Sequence, residues 1–214
     1  MKIIAHRGYW LVDDEKNTEL AFERALSANF GIETDLRDYC GNIVISHDVP
    51  DKSSMKFENF LELYLRNTEH CSLKPTLALN IKSDGLSCLV LEILERYEVT
   101  NYFVFDMSVP DSLSYINAGL KTFTRHSEFE VLPYLYEHSF GVWLDCFLNT
   151  WFSEQVLTSH LEAGKDVCIV SPELHKRKDF ISEQWVFLRE YSRRGDLILC
   201  TDFPSKAQEY FNAG

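Results

Sequence analysis

The chain has 214 residues, 45% of them hydrophobic and 25% charged, a composition that suits one globular domain with a sizeable core. Its formal net charge is −12. A surface this acidic argues against nucleic acid and anionic membrane as partners, because both repel it. A small anionic substrate stays open, provided its site is locally positive or holds a metal.

No stretch approaches the ~20 apolar residues of a membrane span, and the apolar run within residues 1–7 is too short for a secretory signal. Six cysteines are scattered without a C-x-x-C pair, most of them inside apolar runs. Reduced, buried thiols in a cytoplasmic protein are therefore expected.

Taken in chain order, strand-like and helix-like segments alternate. A short apolar strand over 2–5 ends at His6. A helix over 18–28 carries Leu20, Ala21, Ala25 and Ala28 at helical spacing, with Asn17 or Thr18 to cap it. Strand-like 31–36 and 42–46 flank a Cys-Gly-Asn turn. A helix over 57–65, a strand over 76–81 and a leucine-rich helix over 86–97 follow. Further strands are predicted at 102–105, 122–125, 141–146, 167–170 and 197–200. Helices are predicted at 110–118, 153–163, 182–193 and 205–211.

Short apolar strands interleaved with helices indicate parallel βαβ units. About eight units fit, which favours a TIM-type (β/α)8 barrel over a doubly wound sheet, as a single domain over residues 1–214 with no room for an inserted one. Active sites of this fold lie at the C-terminal ends of the strands. His6, Glu33, Asp35, His47, Asn80, Asp106, Asp145, Glu173 and Asp202 all fall at or near such ends.

Glu33 and Asp35 are two apart on a strand and share a face, where two carboxylates repel unless a cation or proton intervenes. A hard divalent ion, Mg²⁺ or Ca²⁺, resolves that repulsion with oxygen ligands; a solvated strand face or surface ion pairs are the alternative. His6 and His47 end two different strands and can each move a proton near neutral pH. Arg7 and Lys82 suit phosphate oxygens, or ion pairs with Glu33 and Asp35, and the two roles are compatible. The other histidines (His70, His126, His138, His160, His175) are assigned to loops and helices as background.

In order and spacing, His6-Arg7-Gly8, Asn17-Thr18, Ala21-Phe22, Glu33-Thr34-Asp35-Leu36-Arg37 and His47-Asp48 resemble the signature of the glycerophosphodiester phosphodiesterase family. The likeness extends more faintly to Leu79-Asn80-Ile81-Lys82 and Thr201-Asp202-Phe203-Pro204. The resemblance implies a TIM-type barrel that uses Mg²⁺ or Ca²⁺ to cleave a small-molecule phosphodiester to an alcohol and a phosphomonoester, by way of a cyclic phosphate that water opens. It also implies roles. His6 and His47 are general acid and base, Glu33 and Asp35 hold the metal, and Arg7 and Lys82 hold phosphate oxygens. Three departures stand out. Asn80 occupies the family's third metal-ligand position, usually glutamate. Lys16 replaces a frequent glutamate before Asn17-Thr18. The segment after His47-Asp48 is compact, without the family's usual insertion. A barrel that binds a phosphorylated ligand without turnover, and a lyase that releases the cyclic phosphate, are the competing expectations.

Overall fold

The computed structural model describes residues 1–212. Eight parallel strands form the expected ring: β1 (Lys2–His6), β2 (Gly31–Tyr39), β5 (Leu77–Ile81), β6 (Tyr102–Phe105), β7 (Phe123–His126), β8 (Gly141–Leu144), β9 (Asp166–Val170) and β10 (Leu197–Thr201). They pair in that order, and β10 returns to β1. Closure is thinnest between β6 and β7, where one parallel bridge joins Val104 to Thr122 and the Val104 N–H donates to the Lys121 carbonyl at 2.8 Å.

Seven helices pack outside the ring among the described residues: α1 (Glu19–Ser27), α2 (Phe57–Thr68), α3 (Ser87–Arg96), α4 (Val109–Asn117), α5 (Glu154–Glu162), α6 (Ile181–Leu188) and α7 (Pro204–Asn212). Thr18, Ser108 and Ser153 cap α1, α4 and α5 with their hydroxyls. Two features depart from a regular repeat. The strand expected at 42–46 is β3 (Asn42–Ile45), which runs antiparallel to β2 and, with the two-residue β4 (Met55–Lys56), stands off the ring. Between β7 and β8 there is no α-helix, only a 3-10 turn at Tyr136–His138.

Side chains alternate along each strand between the barrel interior and the helix layer. The interior is filled by Ile4, Ala78, Phe103, Phe105, Phe123, Trp143, Cys168, Val170, Ile198 and Cys200. Large rings are accommodated by small neighbours. Phe103 stacks on Phe123 at 3.8 Å, and a Cβ on Gly141 would lie 2.5 Å from the Phe123 ring. With the interior plugged by apolar groups, polar side chains one step further along the strands gather at the mouth. The thiols divide more evenly than expected: Cys146, Cys168 and Cys200 are buried, but Cys40 and Cys88 are exposed and Cys71 is half-buried, because they lie on the hairpin turn, on the outer side of α3 and in the loop after α2.

Candidate active site

Strand register sets the first wall of the mouth. His6 on β1 lies beside Glu33 on β2, and Asp35 lies beside Asn80 on β5. His6 Nδ1 is 2.7 Å from an Asp202 carboxylate oxygen, just beyond β10, and its Nε2 is 3.9 Å from Glu33 Oε2. A carboxylate only accepts, so Asp202 fixes the proton on Nδ1 and leaves Nε2 for chemistry. Arg7 takes a left-handed conformation (φ 55°), which lets its backbone N–H donate to Glu33 Oε2 at 3.2 Å. Gly8 follows at φ 84°, where a Cβ would press to 2.9 Å against Ala21 of α1. The His-Arg-Gly run is thus a strand end, a reversal and a close approach to a helix.

Glu33 and Asp35 are 2% and 1% exposed. Asp35 meets Arg7 Nε at 3.2 Å, Lys82 Nζ at 3.6 Å and the donating Asn17 amide at 2.9 Å. Asn17 is itself left-handed (φ 58°) and accepts from the Thr34 hydroxyl. It serves the site, and Thr18 serves the helix. Burial, then repulsion from Asp35, push the Glu33 carboxyl above the usual carboxylate range, against the pull of His6, Arg7 and Lys82.

A cavity of about 290 Å³ opens over this wall. His6, Arg7, Glu33, Asn80 and Lys82 line one side; Arg125, Asp145, Phe147 and His175 line the other; Phe105 and Trp143 line it as well. Lys82 also reaches Asp106 at 3.4 Å, and Asp106 in turn pairs with Arg125. His47 lies at the rim of the same cavity, 43% exposed, with Nδ1 2.9 Å from the 93% exposed Asp48. All seven residues singled out for chemistry lie at the barrel mouth; of these, Asp35 is buried behind the cavity wall.

No group of three His, Cys, Asp or Glu side chains able to hold a metal occurs among the described residues, so a third protein ligand must come from another side chain. Asn80 Oδ1 and Asp35 Oδ1 are both buried acceptors without a hydrogen-bond donor, beside the Glu33 carboxylate. Such oxygen-only chemistry fits Mg²⁺ or Ca²⁺, with one negative charge fewer than a three-carboxylate site.

No protein-family profile and no curated protein matches the sequence. Solved structures do match. The chain superposes on a glycerophosphodiester phosphodiesterase from Agrobacterium tumefaciens with a TM-score of 0.69 and 14% identity, covering 100% of both chains. It also superposes on a protein from Silicibacter pomeroyi, described as a glycerophosphoryl diester phosphodiesterase, with a TM-score of 0.62 and 15% identity, covering 100% of this chain and 93% of that one. This chain has their fold. The TIM-type barrel expected from the βαβ pattern is therefore shared along the full length with proteins of the kind the motif resembles.

Glu173, which the sequence places at a strand end without a role, gains one here, and two histidines near strand ends were set aside. Glu173 is buried and committed: it accepts from Ser171 at 2.6 Å, from the Thr201 hydroxyl and from the Asp202 N–H at 3.0 Å, so it fixes the backbone that presents Asp202 to His6. His175, set aside as background, lies in the cavity with Nε2 2.6 Å from Asp145. His126, also set aside, ends β7 and forms a buried pair with His160 at 2.9 Å, and His160 Nδ1 is 3.0 Å from the Tyr136 hydroxyl. Burial lowers His126 and brings His160 down to about 4. Burial thus favours the neutral form of both rings in the folded state, and the His160 contribution is complete above the ordinary histidine value near 6.5 and is lost as pH falls from there towards 4. Unfolding free energy is expected to drop by roughly 1–2 kcal/mol over that window from His160, after solvent screening. Urea unfolding at pH 7 and pH 4.5 checks this: the drop should shrink in His160→Gln, and an unchanged drop would refute it.

Proposed function

We propose that this chain is a metal-dependent phosphodiester hydrolase acting on a glycerophosphodiester or a related glycerol-phosphate or sugar-phosphate ester. One observation carries the reading: an Asp202-held imidazole and a buried carboxylate pair meet Arg7, Lys82 and Arg125 around one open mouth. The fold shared with glycerophosphodiester phosphodiesterases supports it.

Glu33, Asp35 and Asn80 would hold Mg²⁺ or Ca²⁺, which when bound neutralises charge on a non-bridging phosphate oxygen. The remaining steps belong to the chain. Arg7 and Lys82 orient the phosphate oxygens and lower the charge that repels a nucleophile. His6 Nε2 takes the proton of the attacking hydroxyl, and Asp202 stabilises the resulting imidazolium. The departing alcohol needs a proton from the far side of phosphorus, a role the sequence signature gives to His47. The unpaired thiols suit a cytoplasmic setting, and no helix among the described residues is long and apolar enough to cross a membrane.

Phosphorus NMR of glycerophosphoethanolamine with the protein and Mg²⁺ or Ca²⁺ tests the reading. A phosphomonoester signal should grow, and EDTA should abolish its growth. A cyclic diester that persists would assign a lyase instead. No turnover, together with calorimetric binding of glycerol 3-phosphate, would assign a non-catalytic binding barrel, the reading that Asn80 keeps open.

A further inference from the structure

Phosphoryl transfer from a diester has two proton demands on opposite sides of phosphorus: the nucleophile loses one and the leaving oxygen gains one. His6 meets the first. His47 follows β3, which pairs with β2, the strand beside β1. Both signature histidines therefore descend from the same arc of the barrel. Asp145, just beyond β8, lies three strands away from β1 around the ring, through β10 and β9. His175 follows β9 and joins it there.

The Asp145–His175 pair is built like the Asp202–His6 pair. His175 Nε2 is 2.6 Å from Asp145 Oδ1, so the carboxylate holds a proton on Nε2 and directs the other ring nitrogen's chemistry to Nδ1. Asp145 is itself fixed. Its Oδ1 also accepts from the Cys146 N–H at 2.8 Å, and its Oδ2 accepts from the Trp143 indole at 3.3 Å. The Phe147 ring packs 4.6 Å from the imidazole. With Nε2–H held by the carboxylate, the second proton of the imidazolium sits on Nδ1. By contrast, among the described residues His47 leans only on Asp48, which is almost wholly in solvent.

We propose that His175 is a further catalytic residue, the proton donor to the departing alcohol, with Asp145 its positioning residue. It rests on the hydrolase reading above. In the step, the nucleophile oxygen bonds to phosphorus while its proton passes to His6 Nε2. The bond from phosphorus to the ester oxygen breaks, and its electron pair stays on that oxygen. The proton on His175 Nδ1 moves to it and gives the free alcohol. Solvent then returns a proton from His6 to His175.

Leaving-group dependence tests this within each variant, which separates chemistry from folding. Glycerophosphoethanolamine releases an alcohol that must be protonated; the 4-nitrophenyl ester of glycerol phosphate releases a stable anion that needs no proton. His175→Ala should lower kcat on the first by about 100-fold or more and leave kcat on the second within a few-fold of the parent. Asp145→Asn should show the same selective loss, smaller in size. His47→Ala should lower both substrates alike or neither. Equal loss on the two esters in His175→Ala, or unchanged activity on both, would overturn the proposal while the hydrolase reading stands. The same holds if the selective loss appears in His47→Ala and not in His175→Ala. Should the parent cleave neither ester, the hydrolase reading itself falls, and this proposal with it.

Discussion

His6→Ala is expected to lower kcat/KM on a glycerophosphodiester by about 10²–10⁴-fold, a loss of roughly 3–5 kcal/mol of transition-state stabilisation. The imidazole is half-buried, and its bonds are to groups at the mouth, so the fold should survive its removal. Asp202→Asn separates proton transfer from mere presence of the ring. An amide in place of the carboxylate can donate to Nδ1, which favours the wrong tautomer and removes the charge that supports imidazolium. Its loss should fall mainly on kcat. Initial rates on glycerophosphoethanolamine with saturating Mg²⁺ check both variants. Parent-like activity in His6→Ala would remove the base from the mechanism.

The elements that local pattern controls were legible in the sequence, and those that ring closure controls were not. Apolar runs separated by capped helices place all eight ring strands, and the Glu33–Asp35 spacing puts both carboxylates inside. Asn17 shows the limit. As one of two candidate caps before a helix it has an ordinary explanation, yet it turns away in a left-handed conformation to hold Asp35. The strand at 42–46 is real, but only its antiparallel register shows that it stands outside the ring. The pairing of His175 was invisible for a different reason. Its partner Asp145 lies 30 residues earlier, and only the adjacency of β8 and β9 brings them together. The Asp202–His6 contact spans 196 residues and depends on β10 closing against β1. A polar residue within a few positions of a strand end was the usable signal, and His175, five residues beyond β9, was eligible by it.

The two buried carboxylates are expected to respond oppositely to neutralisation in the metal-free protein. Asp35→Ala removes the shared partner of Arg7, Lys82 and Asn17, leaving Arg7 without its side-chain ion pair and Lys82 with Asp106 alone. Breaking a buried ion network from one side costs about 3–5 kcal/mol; both cations keep about a fifth of their side chains exposed, which places this variant at the lower end, about 3 kcal/mol. Glu33 is the reverse case. Burial and Asp35 already hold its carboxyl above the usual range, so its ionised form at neutral pH opposes folding. Glu33→Gln relieves that repulsion; its amide oxygen can still accept from the Arg7 N–H, and its NH2 can donate to the unpartnered Asn80 Oδ1 once that amide turns over, so it should leave stability unchanged or raise it, even as it weakens the binding of a divalent cation. Urea unfolding in EDTA at pH 7 measures both. A Glu33→Gln variant as unstable as Asp35→Ala would mean that Glu33 anchors the cations at the mouth as much as Asp35 does, and would overturn the opposite response.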